Sequence, residues 1–323
     1  MDSITQATLG AAVGEAVLGK KVGYRAALTG AIVATIPDLD VVLIPFFSEV
    51  QKISLHRGYS HSLLFCIIAS LLLAAFFRKT KWFQDVSFRR LWIFHFLALS
   101  THVMLDAFTS YGTQLFLPIT DWRVSFDSIS IIDPVYTFPL LSGVIISIWK
   151  FHKDAPRRSL PNNLGILASS LYLLFTLANK QHIQNVVYSQ LEERDIPSFR
   201  LLTVPVSAGN AVWYGVAKGK DHLYLGKYST LKKNQIDFHK FPINDHLLDG
   251  LDEYLIDRLT WFAQGFYTVA EKDGKIRMYN MQCDMQGVRQ FGDYKAPTAF
   301  YYEITPLENG EFILDSGMHP SQN

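Results

Sequence analysis

Long apolar runs occupy roughly the first 180 residues of the chain, and alternating apolar and polar positions prevail after them. A helix needs about 17 to 25 residues to cross a hydrocarbon core of about 30 Å. Four runs approach that length once their flanks are counted, and they lie at residues 62–77, 91–108, 134–149 and 164–178. The pattern favours membrane-spanning helices, and a soluble helical domain with buried helices is the alternative.

A weaker helical pair precedes these runs, at residues 3–18 and 26–47. Small residues recur in its first member (LGAAVGEAVLG), and small residues let helix backbones approach closely within a membrane bundle. The second member is interrupted by PDLD. With this pair included, residues 1–180 are predicted to form an α-helical membrane bundle of about five to six membrane helices.

Residues 181–323 have the pattern of a soluble, β-rich α+β domain. Stretches such as FRLLTVPV, AVWYGVA and HLYLGKYST show the alternation typical of strands. Lys272-Asp273-Gly274 predicts a hairpin turn. Residues 245–262 have a helical spacing of leucine, isoleucine and phenylalanine, so we expect one helix among the strands.

Basic residues are concentrated in three short turns between the predicted helices. They are Lys20, Lys21 and Arg25; then Arg78, Lys79, Lys81, Arg89 and Arg90; then Lys150, Lys153, Arg157 and Arg158. Short cytoplasmic loops of membrane proteins carry an excess of lysine and arginine. We therefore expect these turns to be cytoplasmic and the C-terminal domain to lie on the other side of the membrane.

The charge and the cysteine content narrow the classes of partner and site. The formal net charge is +1, so nucleic acid is not an expected partner, because phosphate-backbone binding needs a basic surplus. The two cysteines, Cys66 and Cys283, support neither a disulfide framework nor a cysteine zinc site. Any metal must be held by histidines and carboxylates. Histidines after residue 150, including His319, lack ligand spacing and are expected at the surface.

The strongest candidate for chemistry is THVMLDAF, in the second apolar run. His102 and Asp106 are four residues apart, so they lie on one helical face and can bind one ion together. Ionisable groups are costly inside a membrane and mark functional sites or paired networks. The alternative is a His–Asp hydrogen bond that only satisfies two buried polar groups.

The IPDLD segment places two carboxylates on the same predicted side of the membrane. Its proline ends or kinks the helix, which lets Asp38 and Asp40 turn toward one place. A simple turn is the alternative.

The segment HRGYSHSLLF places two histidines at the start of the first apolar run. On a continuous helix His56 and His61 would lie about 140° apart, but Gly58 offers a break that lets both converge. Between them, Arg57 would suit an anionic group, and a phosphate matches the guanidinium fork. The alternative for Arg57 is an interfacial charge that extends to the membrane surface.

Together these segments supply six candidate metal ligands to one membrane face: Asp38, Asp40, His56, His61, His102 and Asp106. Mixed histidine and carboxylate ligands suit zinc, with manganese or iron as alternatives, rather than calcium. Six ligands would be enough for two ions, and a pair of ions about 3.5 to 4 Å apart is a common device for splitting phosphate esters. Asp2 begins the first helix on the same face and could be a further ligand, a base or only an N-cap.

Four motifs carry a resemblance to a known family: MDSITQATLGAAVGEAVLG, IPDLD, HRGYSHSLLF and THVMLDAFTSYGTQLF. In this order, over roughly residues 1–180, they resemble the YdjM-like bacterial inner-membrane proteins, described as metal-dependent hydrolases. Many members carry histidine where this chain has Gln6, which leaves a ligand at that position open. The motif order also looks like that of zinc-dependent phospholipase C, in which a helical bundle with an HxxxD pair holds zinc.

The residues and the resemblance together predict a multi-pass hydrolase of the bacterial inner membrane, whose metal site and C-terminal domain both face outward. The six ligands would hold one or two divalent ions. Asp40 would also position water, Arg57 would hold the substrate phosphate, and Asp2 would assist. A membrane phospholipid or another phosphate ester is the expected substrate. The rival interpretations are a metal or ion transporter and a non-catalytic envelope protein.

Overall fold

A computed structural model describes residues 1–282, 289–291, 294–298, 300–307 and 312–318 of the chain. The predictions for Cys283 and His319 concern positions outside the described residues.

The chain up to residue 192 forms seven α-helices and two 3-10 segments. The helices are α1 (Ser3–Val22), α2 (Tyr24–Ala34), α3 (Glu49–Leu55), α4 (Leu63–Phe77), α5 (Phe88–Ala107), α6 (Pro134–Lys150) and α7 (Ser159–Glu192). The 3-10 segments are Pro37–Phe46, which follows α2, and Tyr59–His61, which precedes α4. The IPDLD and HRGYSH motifs therefore lie in short, tight segments at helix ends.

Helices α1 and α2 pack closely because small residues face each other where they meet. A Cβ atom on Gly10 would lie 2.2 Å from the carbonyl oxygen of Gly30, and one on Gly14 would lie 2.1 Å from that of Ala26. No side chain larger than hydrogen fits at either glycine without displacing the neighbouring backbone. α1 also contacts α5 and α6. α2 contacts α5 as well.

Among the described residues, two helical segments are long and apolar enough to cross a membrane, or three if a bent pair counts as one span. The two are Tyr24–Phe46 and Ser159–Glu192, and the bent pair is Glu49–His61 with Leu63–Phe77, at 53° to each other. The predicted count of about five to six membrane helices is therefore not supported. α6 has only 17 residues, and polar residues such as Arg90 and Asp106 lower the hydropathy of α5.

The described residues after α7 form a β-rich domain with one helix, α8 (Glu253–Phe262). Its first antiparallel sheet contains, in order, β1 (Arg200–Pro205), β2 (Val212–Lys218), β3 (His222–Ser229) and β4 (Phe238–Pro242). The second has the order β10-β9-β6-β5, with β5 (Tyr267–Lys272), β6 (Lys275–Asn280), β9 (Phe300–Pro306) and β10 (Phe312–Met318). A short pair is formed by β7 (Arg289–Phe291) and β8 (Tyr294–Ala296). The prediction of a β-rich domain is confirmed.

Two local predictions in this domain have different outcomes. The hairpin between β5 and β6 is confirmed: Asp273 and Gly274 have φ angles of 56° and 72°, as a type I′ turn requires. The helix predicted over residues 245–262 is divided into a 3-10 turn, Asp245–Leu248, and α8. Gly250, with a φ of 83°, lies in the break.

A cluster of charged side chains joins β6 to β9. Glu303 accepts hydrogen bonds from Lys275 Nζ at 2.6 Å and from Arg277 Nε at 2.8 Å. These bonds to the two cations, with that of Lys275 the stronger influence, hold the pKa of Glu303 below its ordinary value.

The chain comprises two compact units. The first contains Met1–Ile44 and Leu55–Ala178, and the second contains Pro45–Ser54 and Asn179–Asn323. All six predicted metal ligands lie in the first unit.

Candidate metal centre

Four side chains from three segments meet in the first unit. Asp38 comes from the 3-10 segment after α2, His61 from the 3-10 turn before α4, and His102 and Asp106 from the last two turns of α5. Ser62 caps α4 by accepting a hydrogen bond of 3.1 Å from its first turn, which fixes where the helix begins and so where His61 lies. One ligand atom from each of the four residues lies within 4.8 Å of the other three.

Five of the six distances among these four atoms are nearly equal. Nε2 of His61 lies 3.3 Å from Asp38 Oδ1 and 3.3 Å from Asp106 Oδ2. Nε2 of His102 lies 3.4 Å from each of the same two oxygens, and the two Nε2 atoms are 3.3 Å apart. A regular tetrahedron with such edges has its centre about 2.0 to 2.1 Å from each corner, which matches the bonds of zinc to nitrogen and oxygen.

The hydrogen bonding of these atoms also favours a bound cation. Asp106 Oδ2 is buried and has no hydrogen-bond donor among the described residues. A buried carboxylate oxygen without a donor is costly, and two imidazole nitrogens that face the same two carboxylates can both serve as ligands of one ion. Asp38, His61, His102 and Asp106 could therefore hold a divalent metal ion.

The other carboxylate oxygen of Asp106 is held by three further groups. Oδ1 accepts a hydrogen bond of 3.1 Å from Gln6 Nε2 and one from the Met1 amino group, and it lies 3.1 Å from Arg57 Nη2. Gln6 Nε2 also lies 3.3 Å from the carbonyl oxygen of His102. These contacts fix the orientation of the carboxylate, so that Oδ2 faces the cluster.

Asp40 and His56, which are also predicted ligands, lie beside the four-residue cluster. The hydroxyl of Ser60 is 3.0 Å from Asp40 Oδ2, to which it donates, and 2.9 Å from His61 Nδ1. If the hydroxyl donates to the carboxylate it accepts from Nδ1, which assigns the proton of His61 to Nδ1 and leaves a lone pair on Nε2, toward the cluster. His56 Nδ1 lies 3.1 Å from Asp40 Oδ1.

Arg57 is buried beside Asp106, with a side chain only 8 % exposed. Its Nη1 donates to Thr109 Oγ1 at 2.9 Å, and its guanidinium lies 4.9 Å from the centroid of the Tyr111 ring. The structure thus places the guanidinium against a carboxylate of the cluster. The predicted contact of Arg57 with a substrate phosphate stays a prediction.

Asp2, a further predicted site residue, and the buried histidine His95 lie outside the cluster. Asp2 caps α1: its Oδ1 accepts from the backbone nitrogens of Ile4 and Thr5 at 3.1 and 3.0 Å, as the N-cap alternative expects. His95 is fully buried on α5 and stacks on Phe77, with ring centroids 5.1 Å apart. A packing role for His95 agrees with these contacts.

Solvent reaches the cluster only where Asp38 lies, and only to a small extent. The side chains of His61, His102 and Asp106 are 0 to 1 % exposed, whereas that of Asp38 is 26 % exposed. His56, beside it, is 27 % exposed. A small molecule would therefore reach the cluster past Asp38 and His56.

Sequence reasoning missed Gln6 and Ser60 as parts of this centre. Gln6 lies on α1 and meets Asp106 on α5, a contact across 100 positions of sequence that no local spacing reveals. The resemblance marked its position, because many relatives carry histidine there. Ser60 lies inside HRGYSH, where the histidines are typical metal ligands and a serine is not.

Comparisons with known proteins agree with the motifs. The sequence model of a family described as YdjM inner membrane protein matches residues 1–183. The uncharacterized protein YfhP of Bacillus subtilis (strain 168) is 28 % identical over 235 residues, which are 67 % of this chain and 68 % of that protein. The inner membrane protein YbcI of Escherichia coli (strain K12) is 32 % identical over 109 residues, 34 % of this chain and 61 % of that protein. No solved structure matches the chain significantly.

Proposed function

The chain belongs to the YdjM inner membrane protein family, and on that premise we propose that it is a membrane-bound, metal-dependent hydrolase of phosphate esters. The observation that carries the proposal is the buried cluster of two histidines and two carboxylates, in which Asp106 Oδ2 lacks a donor among the described residues. Two histidine nitrogens and two carboxylate oxygens as ligands favour zinc over magnesium or calcium.

Some residues of the centre would bind the ion, and others would act on the substrate. When bound, the metal would supply a Lewis acid that activates water and stabilises negative charge on phosphoryl oxygens. Asp38, His61, His102 and Asp106 would hold it. His56, which is partly exposed and paired with Asp40, would transfer a proton to the oxygen of the leaving group.

The membrane arrangement that we propose follows the charge pattern. The basic turns would be cytoplasmic, and the Asp/His cluster and the C-terminal domain would lie on the outer side of a multi-pass protein. A metal centre on the outer side of the membrane protein favours a substrate that is itself part of the membrane. A phospholipid or a similar lipid-linked phosphate ester is therefore the proposed substrate.

The transport alternative requires titratable groups that lead away from the cluster. Glu15 and His95 are buried titratable groups outside the cluster, and each is held by other contacts. Glu15 forms a two-point ion pair with Arg158, at 2.7 and 2.8 Å, and His95 is packed against Phe77. These contacts favour hydrolysis over transport.

The test uses the full-length protein in mild detergent. Bound metals would be measured by elemental mass spectrometry, and turnover would be measured with bis-p-nitrophenyl phosphate and a short-chain phospholipid. The His102→Ala/Asp106→Ala variant removes two ligands. His95→Ala is the matched control, because it removes another fully buried histidine of the same helix that lies outside the cluster.

We expect about one equivalent of zinc and measurable hydrolysis in the wild type and in His95→Ala, and loss of both in the double variant. A wild type that holds no metal and cannot be loaded would overturn the proposed centre. A wild type that binds metal but hydrolyses neither the diester nor the phospholipid would overturn the hydrolase and leave a non-catalytic protein.

A further inference from the structure

A basic cleft lies in the first unit, at the ends of α2, α4 and α5 that do not carry the Asp/His motifs. Its volume is about 880 Å³, and its walls come from the α1–α2 turn, the α4–α5 connection and the end of α6 with the following loop. Six basic residues and one acidic residue line it: Lys21, Arg25, Lys81, Lys150, Lys153, Arg158 and Asp85.

Most of this positive charge has no carboxylate partner. Arg158 is neutralised by Glu15 and also donates to the carbonyl oxygen of Phe151 at 2.9 Å, so it forms part of the structure of the cleft. Lys21, Lys81 and Lys153 are exposed, and none of them forms an ion pair within the described part of the chain. The cleft therefore presents unpaired cations from three separate segments to whatever enters it.

Aromatic side chains flank the same cleft. Trp149 is 86 % exposed and Trp82 is 42 % exposed, and the guanidinium of Arg25 lies 5.1 Å from the Trp82 ring. Exposed tryptophans beside lysines are typical of the level where lipid headgroups meet water. A charge pattern that only directs membrane insertion requires no concave site, whereas these residues converge on one.

We propose that the cleft between the α1–α2 turn, the α4–α5 connection and the end of α6 binds the phosphate of an anionic phospholipid headgroup. Lysine ammonium groups bind phosphate as point charges, and basic pockets between membrane helices bind anionic headgroups. The exposed tryptophans favour a lipid over a soluble anion, because such residues are typical of the level of the lipid headgroups. This site is independent of the metal centre and of the hydrolase activity.

The test compares two triple variants of the full-length protein in an uncharged detergent. Lys21→Gln/Lys81→Gln/Lys153→Gln removes one unpaired cation from each wall. Lys79→Gln/Arg89→Gln/Arg157→Gln removes three exposed basic residues, from the second and third of the basic turns, that do not line the cleft. Binding of phosphatidylglycerol and of phosphatidylcholine would be measured by native mass spectrometry, with inorganic phosphate as a competitor. Circular dichroism would establish that each variant is folded.

We expect the wild type to prefer phosphatidylglycerol. Each cleft lysine should contribute a factor of about five, so the cleft triple should bind about 100-fold more weakly, and the control triple should bind within about twofold of wild type. If the cleft triple does not fold, the single variants Lys21→Gln and Lys153→Gln should each show the fivefold loss. Equal losses in both triples, or no preference for phosphatidylglycerol, would overturn the site. Displacement by inorganic phosphate at equal concentration would overturn the lipid as its ligand.

Discussion

Replacing Ser60 with alanine would break the connection between Asp40 and His61. In the folded protein the Ser60 hydroxyl lies 3.0 Å from Asp40 Oδ2 and 2.9 Å from His61 Nδ1. Without it, Asp40 cannot fix the proton on Nδ1, because Asp40 Oδ2 is 3.6 Å from that nitrogen and too distant for a good hydrogen bond. His61 could then place its proton on Nε2, which would block the ligand atom.

The size of the effect follows from the two hydrogen bonds that are lost. Each contributes about 1 kcal/mol net, so the metal-binding orientation of His61 should lose about 1 to 2 kcal/mol. A tenfold change in affinity corresponds to about 1.4 kcal/mol. We therefore expect zinc to bind about 5- to 30-fold more weakly, which overlaps the range found for residues that orient metal-binding histidines.

The assay is competition for zinc against a chromophoric chelator, with the full-length protein in detergent. Ser70→Ala is the matched control, because its hydroxyl donates to the Ile67 carbonyl oxygen within α4 at 2.8 Å and lies outside the cluster. Wild-type zinc affinity in Ser60→Ala would refute the reasoning. So would an equal loss in Ser70→Ala, because it would show that the affinity reports general stability instead.

Three further predictions concern stability. Gly10→Val should destabilise the bundle by about 3 kcal/mol through overpacking against α2. Ala16→Val, at an exposed site of the same helix, is the control and should have little effect on the thermal midpoint in detergent. Gln6→Leu should cost about 1 to 2 kcal/mol, since Asp106 Oδ1 loses a buried donor; an unchanged midpoint would contradict this. Because its two cationic partners lower the pKa of Glu303, the stability that they confer is present above the ordinary pKa of a glutamate and is lost as the pH falls through the lowered pKa. In Glu303→Gln the midpoint should therefore fall less on acidification than in the wild type, and an equal fall would contradict this.

The local motifs predicted the centre of the site well and its surroundings poorly. Spacing on one helix placed His102 with Asp106, and the proline of IPDLD freed Asp38 from its helix, so these residues could be assigned from sequence. The roles of Gln6 and Ser60 depend on how α1 crosses α5 and on how a short turn directs one hydroxyl. Such contacts depend on tertiary packing, and the spacing of residues along one sequence does not reveal that packing.

The predicted number of membrane helices is not supported, for a related reason. Apolar runs at 91–108 and 134–149 do form helices, α5 and α6, but a run of apolar residues does not distinguish a helix that crosses a bilayer from one that is shielded by its neighbours. Two of the polar residues that lower the hydropathy of α5, His102 and Asp106, also belong to the candidate metal centre. The polar side chains that a metal centre requires therefore reduce the apolar character of this helix.

The distribution of the four ligands over three segments also gives their assembly an order in time. Asp38 leaves the ribosome before His61, and both precede His102 and Asp106, so the newly made N-terminal hairpin carries a carboxylate whose partners do not yet exist. The four side chains can surround an ion only after α5 has packed against α2 and α4. Metal supply during biosynthesis should therefore influence how much of the protein matures, as well as how well the finished molecule works.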